Sequence, residues 1–234
     1  MKRLALCLSL LCLFCSAALH AQQKDAAAVP HPQKIKVLQE FTDGKGHIVR
    51  VVQFTEGLMR VTQTIIMPIQ PKISYNIRIP ILADTMKKEE VKLVVVKGDY
   101  NLQVWYRKKL IRVYRAVFGP HPLQDKVMEG DRCTPEGQYT ITLKNGASKY
   151  DRFMGISYPN DSTQLRFKKM KAAGTLPATA TIGGNVGIHG IWPGGDDMIE
   201  MGVGWTDGCI ALKNKDIEEL YTFVGVGTKV WITK

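Results

Sequence analysis

Beyond its apolar amino terminus, the chain alternates hydrophobic and polar positions in short runs broken by glycine, proline or paired charges, the period-2 signature of half-buried strands. Residues 34–40, 47–55 and 58–67, rich in Val, Ile and Thr, predict a small meander, with Asp43-Gly44-Lys45-Gly46 as its first turn. Pro68, Pro71 and Pro80 then interrupt the pattern, and the polar patch 85–90 marks a boundary. A second meander is expected over 91–97, 101–106 and 109–118, joined at Gly98-Asp99 and Arg107-Lys108. Further strands are expected at 137–143, 186–189 and 228–233. Helical spacing occurs twice: over 162–173, stopped by Gly174, and over 216–224, where Ile217, Leu220 and Val224 share a face and Asn214 is placed to cap. The pattern as a whole predicts a mostly β fold with one or two packed helices.

Residues 1–21 read differently. Lys2 and Arg3 precede an apolar run over 4–19, and small residues follow at Ala17, Ala18 and Ala21, the order of a secretory signal peptide cleaved after Ala21. The run falls short of the roughly 20 apolar residues that span a bilayer, so a removable leader is favoured over a retained anchor and no stable membrane span is expected. Leu11 and Phe14, before Cys12 and Cys15, oppose lipid attachment. The mature chain is therefore expected in the periplasm or cell envelope. It begins with a linker over 26–33 and a β-rich accessory segment, 22–90, ahead of the main domain, 91–234.

Composition adds little and excludes some classes. With 45% hydrophobic and 23% charged residues the chain is neither disordered nor fibrous. A formal charge of +11 suits anionic surroundings without naming a partner, and no nucleic acid is expected. Of five cysteines, three leave with the leader. Cys133 and Cys209 remain in an oxidising space, where they either pair or have a reason to stay free.

Chemistry concentrates in Gly187-Ile188-His189-Gly190 and in the run from Gly204 through Trp205-Thr206-Asp207-Gly208-Cys209 to Leu212. A lone His or a lone Cys is ordinarily structural. Here each is flanked by glycine, where backbone and ligand approach closely. Cysteine catalysis requires a thiolate, a base and donors for a developing oxyanion. Cys209 and His189 supply the first two, and the backbone at Asp207, Gly208 and Gly190 is the candidate for the third. The group that orients the imidazole stays open between a carboxylate, an amide and a main-chain carbonyl.

These residues resemble the YkuD-type L,D-transpeptidases of bacterial cell walls, whose pattern is a His, a spacer, then Ser or Thr, any residue, Gly and Cys. Sixteen residues separate His189 from Thr206 here. Glu129-Gly130-Asp131-Arg132-Cys133-Thr134-Pro135-Glu136-Gly137-Gln138-Tyr139 is similar to a second family segment, and the likeness covers 91–234. Two positions depart from it: Asp207 stands where many members carry His, and Ala211 where many carry Arg or Asn. The resemblance implies a YkuD-like β-sandwich or barrel. It also implies Cys209 as the nucleophile on peptidoglycan stem peptides containing meso-diaminopimelate or lysine, with His189 as general base. L,D cross-links would form with release of D-Ala, or L,D-carboxypeptidase or wall-lipoprotein hydrolysis would follow on the same fold. No cofactor and no metal are implied.

Substrate contacts are assigned to Thr206, Arg132, Trp192 and Trp205, against the plainer readings of a solvated arginine and of packed indoles. Asp196 and Asp197, in a glycine-rich loop, read as part of a flexible lid. Cys133 either bonds to Cys209 or is passive. A wall-binding module without turnover is the non-enzymatic rival, and a zinc site at His189 and Cys209 lacks further ligands.

Overall fold

The computed structural model describes residues 34–70, 72–80 and 85–234. The leader, its cleavage point and the linker over 26–33 lie outside them. No helix among the described residues is long and apolar enough to cross a membrane.

The first three strands, β1 (Lys36–Thr42), β2 (His47–Glu56) and β3 (Met59–Pro68), form an antiparallel meander in the order β1-β2-β3. A 3-10 turn at Lys88–Glu90 leads into the main sheet. Its strands are β4 (Val91–Val96), β5 (Asn101–Tyr106), β6 (Lys109–Arg115), β7 (Gly137–Ser148), β8 (Asp151–Ile156), β9 (Gly187–His189), β10 (Ile210–Ala211) and β11 (Lys229–Thr233). They lie in the order β10-β9-β8-β7-β11-β4-β5-β6. The carboxy-terminal strand β11 inserts between β7 and β4, parallel to β4.

The sheet curls until its edges meet. Val117, just past β6, exchanges both backbone hydrogen bonds with Ala211 of β10 at 2.9 Å. Closure of this kind removes two exposed edges and brings the end of β6 against the strand that follows Cys209. Inward positions of the central strands, Leu93, Val95, Leu102, Val104, Val230 and Ile232, are at most 1% exposed. Each contributes about 1.5–3 kcal/mol by burial.

Three helices occur among the described residues. The first, α1 (Asp161–Ala172), is closed by a capping box between Asn160 and Thr163 and is pinned by an Arg166–Asp125 ion pair. The second, α2 (Asp196–Met201), stands where the sequence suggested a flexible lid. Met198 and Ile199 bury it in the core, Gly202 in the left-handed region ends it, and Asp196 and Asp197 occupy its first turn, where carboxylates are favoured. The third, α3 (Asn214–Phe223), buries Ile217 and Leu220, and Val224 just past its end is buried too, as the periodicity required; Phe223 is buried besides. Asn214 does not cap it, because its side chain accepts instead from Ile191 N–H at 2.7 Å.

The sequence also missed β8, the second half of β7, and β10. Residues 149–153, Lys-Tyr-Asp-Arg-Phe, are charged enough to read as loop. Cross-strand pairing with β7 and β9 makes a strand from Asp151 onward, an override of local propensity by tertiary context.

Candidate active site

His189 ends β9 with its side chain 4% exposed, inside a box of rings. Tyr150 and Phe153 lie nearly parallel to the imidazole at 5.2 and 6.3 Å between centroids, and Trp205 meets it edge-on at 5.5 Å. The flanking glycines serve this packing. A Cβ on Gly187 would strike the Phe153 ring at 2.5 Å, and one on Gly190 would strike Asn214 Oδ1 at the same distance. The close approach that these glycines permit is therefore to the protein's own chain. Gly190 is not an oxyanion donor, since its N–H is spent on Tyr150 O at 2.9 Å and Arg152 O at 3.3 Å.

His189 Nδ1 is 2.7 Å from Gly190 O. A carbonyl only accepts, so Nδ1 carries the proton and Nε2 is left as the basic nitrogen. The orienting group is thus a main-chain carbonyl. Burial pushes the imidazole pKa down to about 4, against the Gly190 carbonyl that raises it and with help from Lys149.

Strands β9 and β10 run parallel, Ile210 opposite Ile188 and Ala211 opposite His189. Cys209, one residue earlier, is level with Gly187. Side chains alternate along a strand, so Cys209 and His189 emerge on the same face of this pair. The Cys209 thiol is pushed up to about 11, first by burial and then by the Asp207 charge, while the Gly187 N–H and Lys126 act the other way. With thiol high and imidazole low, the resting pair is neutral.

The turn before Cys209 is closed from within. Thr206 Oγ1 donates to Cys209 O at 2.7 Å and accepts from Gly208 N–H at 3.3 Å, which commits its hydroxyl to the turn and withdraws it from substrate contact. Gly208 has φ +132°, and a Cβ there would lie 2.6 Å from Cys133 O. Glycine is required on both counts.

The profile of the L,D-transpeptidase catalytic domain family, YkuD, matches residues 90–232. The chain belongs to this family. The solved structure of Bd1075 from Bdellovibrio bacteriovorus is similar at 18% identity and TM-score 0.44, covering 67% of this chain and 51% of that one. An L,D-transpeptidase from Stackebrandtia nassauensis is similar at 15% identity and TM-score 0.41, covering 64% and 58%. One from Mycobacterium smegmatis is similar at 12% identity and TM-score 0.41, covering 86% and 82%. The chain thus spans about half the length of the first of these structures. No match was found among curated proteins.

Within this YkuD domain, the segment around Asp131 supports the cysteine turn. Lys126, 3% exposed, bonds Asp131 Oδ1 at 2.9 Å and Asp207 O at 3.4 Å. Asp131 also accepts from the N–H groups of Val127, Met128 and Cys133, and these bonds together with Lys126 hold its carboxyl low despite burial. A second buried lysine, Lys97, pairs with Glu136 at 2.8 Å and bonds the carbonyls of Gln124 and Thr134. A buried lysine leaves no periodic trace in a sequence. The Gly-Asp-Arg-Cys-Thr-Pro run was the only signal of this scaffold.

Arg132 is engaged inside the protein. It pairs with Asp207 at 3.2 Å and with Glu56 of β2 at 3.6 Å, and it donates to Trp205 O. Trp192 and Trp205 stack edge to face at 4.9 Å, and Trp192 is buried, which makes it part of the ring box. Cys133 and Cys209 are both free thiols, and Cys133 is buried with its Sγ toward Asp131 O. No group of three metal-binding side chains occurs among the described residues.

Proposed function

We propose that this chain is an exported cysteine acyltransferase that forms L,D cross-links between peptidoglycan stem peptides through a Cys209 thioester. The observation that carries the reading is the strand register that puts Cys209, just before β10, on the same face as the tautomer-fixed imidazole of His189 in β9. His189 Nε2 takes the Cys209 proton as Sγ attacks the carbonyl carbon of the meso-diaminopimelate or lysine residue before the terminal D-Ala. The tetrahedral intermediate collapses, the peptide C–N bond breaks, and the imidazolium returns that proton to the departing D-Ala amine. An acceptor amine then attacks the thioester carbonyl, loses its proton to His189, and frees the thiol. Water in place of the amine makes the same site an L,D-carboxypeptidase.

A neutral resting pair means that proton transfer accompanies attack rather than preceding it. Activity is thus expected to fall only toward the acid limb near pH 4, where His189 protonates. Mass spectrometry of muropeptides after incubation with the purified mature chain reads cross-linked dimer, tripeptide or neither. Cys209→Ala is expected to lower D-Ala release at least about a thousandfold with unchanged circular dichroism. Persistent turnover in that variant would remove Cys209 from the mechanism.

A further inference from the structure

The outer face of the main sheet, on the other side from the core, carries two cross-strand rows that the cysteine chemistry does not use. Backbone register aligns Thr140, Lys229, Lys92 and Trp105 across β7, β11, β4 and β5, and beside them Gln138, Trp231, Val94 and Gln103. The inward neighbours Tyr139, Val230, Leu93 and Val104 are all buried, so these rows lie on the opposite face, where Gln103 alone of the eight is also buried. The two rows cross three strand spacings, roughly 14 Å.

Three features of this face suit one kind of ligand. It is concave: a depression of about 690 Å³ between Trp105 and Trp231 adjoins another of about 440 Å³, the two sharing Lys92 and Trp231. Its indoles are pre-set. Trp105 Nε1 donates to Gln103 Oε1 at 3.0 Å, Gln103 in turn to Asn101, and Lys92 Nζ lies 4.7 Å from the centre of the Trp231 ring. Trp231 remains 43% exposed, unusual for so large an apolar ring. Finally, Lys229 and Lys92 stand directly opposite each other. Like charges in that position oppose pairing, and neither lysine has an ion-pair partner among the described residues.

We infer that this face binds a carboxylate-bearing glycan chain, sugar rings lying on Trp231 and Trp105 and carboxylates meeting Lys92 and Lys229. Flat sugar faces present C–H groups that match indole surfaces, and Gln138 and Thr140 supply hydrogen bonds to hydroxyl or amide groups. A trough fits a linear chain better than the flat surface of a bilayer. Naming the glycan as the wall polymer's own rests on the function proposed above: its strands expose free lactyl carboxylates where stem peptides have been removed, and the trough would then hold such a stretch while Cys209 works on peptides elsewhere on the polymer.

The test uses the mature chain and glycan strands stripped of stem peptides by an amidase, which leaves free lactyl carboxylates. Indole quenching is expected on addition of these strands, weaker with neutral chitin oligosaccharides. Trp231→Ala and Lys92→Glu are each expected to weaken binding roughly five- to tenfold, while D-Ala release from a soluble tetrapeptide stays unchanged. Equal binding by both variants overturns the proposal. So does binding to phosphatidylglycerol vesicles in preference to the strands. A chain that releases D-Ala yet shows no quenching also overturns it and leaves the Cys209 reading standing. Quenching by the strands without D-Ala release supports this face and removes the catalytic reading instead.

Discussion

The two sheets of this protein are built to different standards. In the eight-stranded sheet the central strands are covered inside, and its edges close on each other through Val117 and Ala211. In the three-stranded sheet β1 is exposed along its whole length, and only Val52, Phe54, Ile65 and Met67 are buried. Three strands with one apolar face are the least that is stable independently. Their covered face rests on the segment that leads to the cysteine. A Cβ on Gly202 would lie 2.3 Å from Met67 Sδ, Arg50 donates to Met201 O, and Gln63 makes two hydrogen bonds to Gly204, as donor to its carbonyl at 3.1 Å and acceptor from its N–H at 3.0 Å. The large sheet fixes where His189 and Cys209 stand, and the small one braces the approach to Cys209 from outside.

If that division holds, the same substitution should matter very differently in the two regions. Gly208→Ala places a side chain at φ +132° and 2.6 Å from Cys133 O. It is expected to cost about 2–4 kcal/mol and at least about a hundredfold in kcat, through displacement of the nucleophile. Gly57→Ala, in the turn between β2 and β3, meets nothing within 4 Å at φ +61°. That change should cost only about 1 kcal/mol and leave turnover alone. Denaturant melts and D-Ala release measured on both variants decide it, and equal losses would erase the distinction.

A second contrast lies in pH. His189 is buried in the large sheet with its pKa lowered from 6.5 to about 4, whereas His47 of the small sheet lies beside Asp43 at the surface. A lowered folded pKa means that the unfolded state binds the proton first. Stability from burying neutral His189 is complete above pH 6.5, and it is lost as pH falls from there toward 4. The difference amounts to about 3 kcal/mol. His189→Gln should remove that slope from urea melts between pH 7 and pH 4, while His47→Gln should leave it in place. A slope that survives in His189→Gln assigns the acid sensitivity elsewhere.

Much of both regions was legible in the sequence because it followed periodic or punctuated patterns. The three strands of the small meander, the run from β4 to β6, and α3 obey simple alternation or helical spacing. His189, Gly208 and Cys209 stood out through glycine punctuation and through the family pattern. What stayed hidden depends on partners distant in sequence. Tyr150 and Phe153 enclose His189 only because β8 pairs between β7 and β9, and their charged neighbours masked that strand. Lys126 and Lys97 are buried by carboxylates and carbonyls brought in from other loops, which nothing in the local sequence marks. Asn214 had the right identity for a cap and was recruited by Ile191 instead. Thr206 and Arg132 looked like substrate contacts because residue type alone does not reveal that a turn and an ion pair already use them.

The brace itself gives the smallest effect and the sharpest separation. Gln63 reaches across from β3 and treats Gly204 as a neighbouring strand would, satisfying its N–H and its C=O with one amide. Gln63→Ala leaves both backbone groups without that partner, at an expected cost of about 1–2 kcal/mol. Because Gly204 lies five residues before Cys209, the loss should loosen the turn rather than remove any reacting group. A kcat reduced severalfold with little change in KM is expected, together with faster hydrogen exchange at the Gly204 amide. Gln63→Glu keeps the acceptor and loses the donor, so it should fall between the two. Were Gln63→Ala to speed exchange at Gly204 yet leave kcat untouched, the small sheet would be a passenger on the catalytic domain, and the brace would have no part in turnover.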